Sequence, residues 1–128
     1  VANPNKRKGT EHEVKTRDFL KAHGQPYCER MASSGSKDRG DLTGVPGFVI
    51  GCKDWGKIDL AKFMDEIRKQ KHNAGDVPFG VEIIKRRNHP IGRAYAVMEL
   101  ADLAALIADG HPSLDQQYRE LSALLGND

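Results

Sequence analysis

The stretch DLTGVPGFVIGCK, residues 41–53, decides how the rest of the chain is read. Extended structure reopens at Asp41-Leu42, Val45-Pro46-Gly47 forms a turn, and an apolar strand runs from Phe48 to Lys53. Strand side chains alternate, so Val49, Gly51 and Lys53 share one face and Phe48, Ile50 and Cys52 the other. Upstream lie a short strand, Tyr27 to Met31, and the Ser/Gly-rich loop SSGSKDRGD (33–41). Downstream, Asp59 caps a helix in which Leu60, Phe63, Met64 and Ile67 recur at i, i+3, i+4 and i+7, ending near Asn73-Ala74-Gly75. Phe79 to Lys85 is the most apolar strand, interrupted by Glu82.

Towards the N-terminus, VANPNKRKG (1–9) is expected to be a flexible basic arm. Thr10 and Glu13 then fit a capping box opening a first helix to about Ala22. Towards the C-terminus, RRNHPIG (86–92) is a loop and Ala94 to Met98 a last strand. Leu100, Leu103, Leu106 and Ile107 mark a third helix. Ser113 with Gln116 caps a fourth carrying Tyr118, Leu121, Leu124 and Leu125. This order predicts a single α/β domain over residues 10–128, with a mixed central sheet flanked by helices. The apolar stripe of residues 100–128 either completes the core or forms a dimer surface.

A length of 128 residues suits one domain. The formal charge of +2 hides an asymmetry: residues 1–93 carry 19 basic and 12 acidic side chains, net +7, and residues 94–128 carry one and six, net −5. A basic body with an acidic end suits a protein that meets a polyanion with one part only. Cys28 and Cys52 lack disulfide or zinc spacing, and His12, His23, His72, His89 and His111 are scattered singly, each expected on the surface. No apolar run approaches the roughly 18 residues of a membrane span, and no charged-then-apolar leader opens the chain. The expectation is a cytoplasmic, nucleoid-associated protein without a membrane, Val1 marking a processed or trimmed start.

Chemistry concentrates in the first half. Asp41 follows the loop, Lys53 closes the strand and Glu13 lies one turn into the first helix. An Asp at one strand end and a Lys on the next suit metal-assisted phosphodiester hydrolysis, in which a carboxylate holds Mg²⁺ and a lysine orients water or neutralises the pentavalent intermediate. A surface ion pair is the plainer alternative. Basic residues gather at Lys6-Arg7-Lys8, Lys37 and Arg39, Arg68-Lys69-Lys71, and Lys85-Arg86-Arg87 with Arg93, long cations fit for phosphate contact. Aromatic side chains are few, with Trp55, Tyr27 and Tyr95 isolated, which favours duplex or branched DNA over a stacking platform for single strands.

KGTEHE (8–13) and ASSGSKDRGDLTGVPGFVIGCK (32–53), with Lys85-Arg86-Arg87 further on, resemble the PD-(D/E)XK nuclease superfamily. More narrowly they resemble the Holliday-junction resolvases of archaea and their phage-borne relatives, over about residues 6–107. The resemblance implies a restriction-endonuclease-like core and cleavage of four-way junctions in DNA recombination and repair, with Mg²⁺ or Mn²⁺ as cofactor. It makes Asp41 a metal ligand alongside the Cys52 backbone carbonyl, Lys53 the catalytic lysine, and Glu13 the helix carboxylate that assists metal or water positioning. Ser34 and Ser36 would approach the scissile strand. A C₂ homodimer is the simplest match to a two-fold junction.

The family pattern has Glu two residues before the lysine, where this chain has Gly51. Either the ligand is lost and the protein binds without cutting, or another carboxylate replaces it, with Glu66 and Asp65 the best placed, then Asp54, or the register is shifted. The expectation is a nuclease impaired at this position. Its rivals are a non-catalytic branched-DNA-binding protein, a general repair or restriction nuclease on the same fold, and a protein–protein adaptor without DNA affinity.

Overall fold

The computed structural model describes residues 3–32, 37–110 and 114–126, with side chains in the last segment from 118 onward. Ser34, Ser36 and the Ser113/Gln116 capping box therefore lie outside the described residues or side chains. The elements, in chain order, are α1 (Pro4–Ala22), β1 (Glu29–Arg30), β2 (Leu42–Thr43), β3 (Phe48–Lys53), α2 (Leu60–Asn73), β4 (Phe79–Ile84), a 3₁₀ turn (Ile91–Arg93), β5 (Tyr95–Val97), α3 (Leu100–Gly110) and α4 (Leu114–Leu124).

The strands form one sheet in the order β1-β2-β3-β4-β5. The β1–β2, β2–β3 and β4–β5 pairs are antiparallel and β3–β4 is parallel. A parallel neighbour needs a crossover connection, and α2 supplies it. The result is a small α/β domain with a mixed sheet and helices packed on it, as the element order predicts.

The two sheet faces bury different things. On one, Ile50 and Val81 pack with Leu42 and Cys28, joined by Leu20 of α1 and by Phe48, Cys52, Ile83 and Met98. On the other, Phe63 and Ile67 of α2 lie over the sheet and are essentially inaccessible. Fully burying such a side chain contributes about 1.5–3 kcal/mol. Gly80 makes this approach possible: a Cβ there would collide with Ile67 Cγ2 and lie 2.7 Å from Lys71 Cδ.

Two features depart from the sequence reading. First, α1 starts at Pro4, with Asn3 as its cap accepting from the Asn5 N–H at 3.0 Å, so residues 4–9 are helix rather than arm. Pro at the first helical position is pre-organised for a helix, and Gly9 within it is tolerated. Second, His12 is buried, not on the surface; its Nε2 meets the Ile83 carbonyl at 2.9 Å and anchors α1 to β4. The apolar stripe that the sequence left as core or dimer surface is largely exposed: Leu100 is 79% exposed, Leu103, Ile107, Tyr118, Leu121, Leu124 and Leu125 are exposed with it, and Leu106 is half-buried. Among the described residues no helix is long and apolar enough to cross a membrane.

The residue that buries the start of α3 is charged. Asp102 receives the Lys71 ammonium at 2.7 and 2.8 Å and the Gly80 N–H at 2.9 Å. That N–H lies beyond the reach of β5, which pairs only with residues 82–84 of β4. Asp102 thus closes the open edge of the sheet and ties α3 to α2, helped by the Arg68–Glu99 pair at 2.7 Å. Asp102→Ala strands a half-buried ammonium and a buried N–H, and is expected to lower the free energy of unfolding by about 3 kcal/mol. Urea titration checks this, with Asp102→Asn losing less.

Candidate functional site

Asp41 is clipped to the end of β2 by backbone bonds: its N–H donates to the Ile50 carbonyl at 2.9 Å and its carbonyl accepts from Met31 at 2.8 Å. Its side chain then continues the ladder where β2 stops, Oδ2 accepting the Cys52 N–H at 2.7 Å. In an extended strand the N–H and C=O of one residue point the same way, so the Cys52 carbonyl faces the same edge as this carboxylate. Burial is the main influence on Asp41 and raises its pKa; the Cys52 N–H and Lys53 oppose, while Asp38 and Glu66 add to the rise.

Lys53, at the end of β3, is brought to the same place from the α2 side of the sheet. Its Nζ pairs with Glu66 of α2 at 3.0 Å and lies 4.9 Å from the Trp55 ring centre and 5.2 Å from that of Phe63. Trp55 in turn packs edge-on against Phe63 at 5.2 Å. Burial alone would depress the ammonium, but the Glu66 hydrogen bond and the charges of Glu66, Glu82 and Asp41 outweigh it and raise the pKa above the ordinary lysine value. Lys53 is therefore a cation at neutral pH, a donor and not a base.

Between these two lies a residue the sequence shows only as an interruption in an apolar strand. Glu82 stands opposite Gly51 in the parallel β3–β4 register. It is 1% exposed, and its Oε1 has no hydrogen-bond partner. A Cβ built on Gly51 would sit 2.7 Å from Oε1 and 3.0 Å from Oε2, so the carboxylate lies across the place that a side chain at position 51 would take. Burial pushes its pKa up to about 8, against the pull of Lys53 and with Asp41, Glu66 and Asp38 adding to the rise. The signal in the sequence is the Glu itself, since a charged side chain in the middle of a buried parallel strand is rarely there for packing.

The other expected positions divide. Glu13 is close enough to Asp41 to feel its charge, and burial raises its pKa, but its carboxylate accepts from Arg30 at 3.2 Å. Glu66, a candidate substitute ligand, is in the cluster and committed to Lys53. Asp54 faces Lys85 at 3.4 Å and Asp65 is exposed, so neither takes the place above Gly51. The Cys52 thiol faces α1, where burial, then the charge of Asp41, hold its pKa far above the usual thiol range.

Among the described cations, Lys6, Arg7, Lys8, Lys37, Arg39 and Arg87 are exposed. Lys85 and Arg86 line a cleft of about 340 Å³ with Lys15, His89 and Glu11, and the Lys85 N–H bonds the Lys53 carbonyl at 2.9 Å. Arg86 also lies 5.7 Å from the Tyr95 ring centre. Arg68 and Lys71 are instead engaged by Glu99 and Asp102 and serve packing.

Among the described residues, no group of three or more His, Cys, Asp and Glu stands close enough together to hold a metal ion by itself. Mg²⁺ does not need such a cage, because it is bound through one or two carboxylates with water and phosphate oxygens completing its shell. Asp41, Glu82 with its unpartnered oxygen, and the Cys52 carbonyl offer hard-oxygen donors of that kind. Set against protein-family models, curated proteins and solved structures, the chain matches none.

A carboxyl whose folded pKa lies above its unfolded value binds its proton more tightly in the native state. Stability is then fully present below the ordinary value of 4.5 and is lost as pH rises towards about 8. Glu82→Gln should therefore match the parent protein near pH 5 and exceed its unfolding free energy by about 2 kcal/mol or more near pH 9. Chemical denaturation at the two pH values, without added metal, checks it; a difference independent of pH would contradict it.

Proposed function

We propose that the chain is a structure-selective DNA endonuclease with a restriction-endonuclease-like PD-(D/E)XK core, acting on four-way junctions by metal-dependent phosphodiester hydrolysis. The observation that carries this reading is the convergence of Asp41, Lys53 and a buried, partner-poor glutamate at the end of the β3–β4 pair.

Each residue has a definable part. Asp41 and Glu82 would hold the divalent cation, Mg²⁺ or Mn²⁺, with the Cys52 carbonyl. When bound, such a cation polarises the phosphate and acidifies a coordinated water. Lys53, cationic and steadied by Glu66 and the two aromatic rings, donates to a non-bridging oxygen as negative charge develops. Glu66 positions the lysine. Glu13, tied to Arg30 and close enough to Asp41 to feel its charge, would be the helix carboxylate that assists metal or water positioning.

The substrate class rests on the sequence resemblance and the placement of cations. Lys6, Arg7 and Lys8 lie on α1, Lys37 and Arg39 precede Asp41 in the chain, and Lys85, Arg86 and Arg87 follow β4, so cations come from three separate segments, Arg7 and Lys85 among them pairing with Glu11 and Asp54. Such charges follow phosphate backbone and read shape rather than sequence. Two-fold cutting calls for a second copy of the chain, and the exposed leucines of α3 and α4 offer a surface for it.

Asp41→Asn and Lys53→Met should each reduce cleavage of a labelled junction by roughly 10²–10³-fold while leaving its gel-shift intact. Loss of binding together with cleavage would point to a folding defect, and unchanged cleavage would remove these residues from the chemistry. Replacing Lys85, Arg86 and Arg87 with Ala should flatten the dependence of log K on log salt by roughly 0.9 for each phosphate that is no longer neutralised. Competition with linear duplex distinguishes a junction enzyme from a general nuclease.

A further inference from the structure

We infer that the second metal-binding carboxylate of this site is carried by Glu82, reaching across the β3–β4 ladder into the space that Gly51 leaves open. This deepens the nuclease reading and rests on it. The glycine is then not a lost ligand but the condition for a displaced one.

Four observations lead there. Gly51 and Glu82 are register partners in a parallel pair, so their side chains belong to the same sheet face; neighbouring strands lie about 4.8 Å apart, within the reach of a glutamate. The Glu82 oxygens stand 2.7 and 3.0 Å from where a Cβ of residue 51 would be, so the carboxylate occupies that place and a side chain at 51 would have to push it aside. A buried carboxylate oxygen without a partner is costly, and Glu82 Oε1 is one. The charges around Glu82 leave it short of positive partners: Asp41, Glu66 and Asp38 act on it with the same sign, and Lys53, the cation acting on it, is already paired with Glu66. A divalent cation between Asp41 and Glu82 supplies what the cluster lacks.

A glutamate contributed by the neighbouring strand reaches the site sideways from β4 instead of upright from β3. The total side-chain volume at the pair is unchanged, Gly plus Glu in either order. Moving the carboxylate back to β3 therefore displaces the Glu82 carboxylate from its place unless Glu82 is removed at the same time. Gly51→Glu alone sets two carboxylates in one place and is expected to weaken metal binding and stability rather than improve cleavage.

The test is Mn²⁺ binding by the full chain, followed by calorimetry and by quenching of Trp55, the one tryptophan, whose ring centre is 4.9 Å from Lys53 Nζ. Wild type, Glu82→Gln, Gly51→Glu and the exchange variant Gly51→Glu/Glu82→Gly are compared, with circular dichroism confirming the fold of each. Mn²⁺ affinity is expected to fall at least tenfold in Glu82→Gln and in Gly51→Glu, and to recover to within about threefold of wild type in the exchange variant. Where a single variant does not fold, the exchange variant decides: recovery supports the inference and failure to bind overturns it. Wild-type affinity retained by Glu82→Gln overturns the role of Glu82 and leaves the nuclease reading standing if Mg²⁺-dependent junction cleavage persists. A wild-type chain that neither binds Mn²⁺ nor cuts a junction with Mg²⁺ or Mn²⁺ overturns both.

Discussion

The parallel register of β3 and β4, which sets Glu82 opposite Gly51, is the constraint from which the site follows. It places a carboxylate in a space without a competing side chain, on the sheet face reached by Lys53 and α2. Shifted by one residue, the pairing would turn Glu82 towards α1 and the apolar core around Ile50 and Val81, where an ionised group has nothing to meet.

That register is held from several directions. Helix α2 spans the crossover and lies close on β4 because Gly80 has no side chain. Asp102 caps the Gly80 N–H and grips Lys71, fixing the open edge of β4. His12 reaches the Ile83 carbonyl from α1 on the opposite face. At the C-terminal half of α2, Gln70 donates to the Asp38 carboxylate and Asn73 to the Asp38 carbonyl, both at 2.8 Å, joining the helix to the segment that delivers Asp41. Buried polar groups thus do the positioning while the apolar residues supply the bulk of stability, and both ends of the acidic cluster are fastened to the same helix.

Much of this is legible in residues 41–85. Period-two alternation in β3, the i, i+3, i+4, i+7 pattern of α2 and the turn at Val45-Pro46-Gly47 are local signals, and the elements lie where those signals put them. The start of α1 differs from its local signal because Thr10 and Glu13 imitate a cap, whereas Asn3-Pro4 is the cap in use. The burial of His12 depends on a carbonyl of β4, which no spacing within α1 reveals. The apolar spacing of α3 marks a helix but not what covers it, and Leu100, Leu103 and Ile107 remain on the surface.

By itself the sequence determined the order of helices and strands, the asymmetry of charge, and the positions of Asp41 and Lys53 at neighbouring strand ends, because these depend on short-range periodicity and turn chemistry. It also showed that position 51 lacks a carboxylate, and pointed to Glu66 and Asp65 on the second helix, then Asp54, as substitutes. Only the tertiary structure decided that Glu82 lies over that glycine. The partner of a strand residue is set by a register established through the α2 crossover and its anchors, and such pairing between distant segments leaves no trace in local spacing.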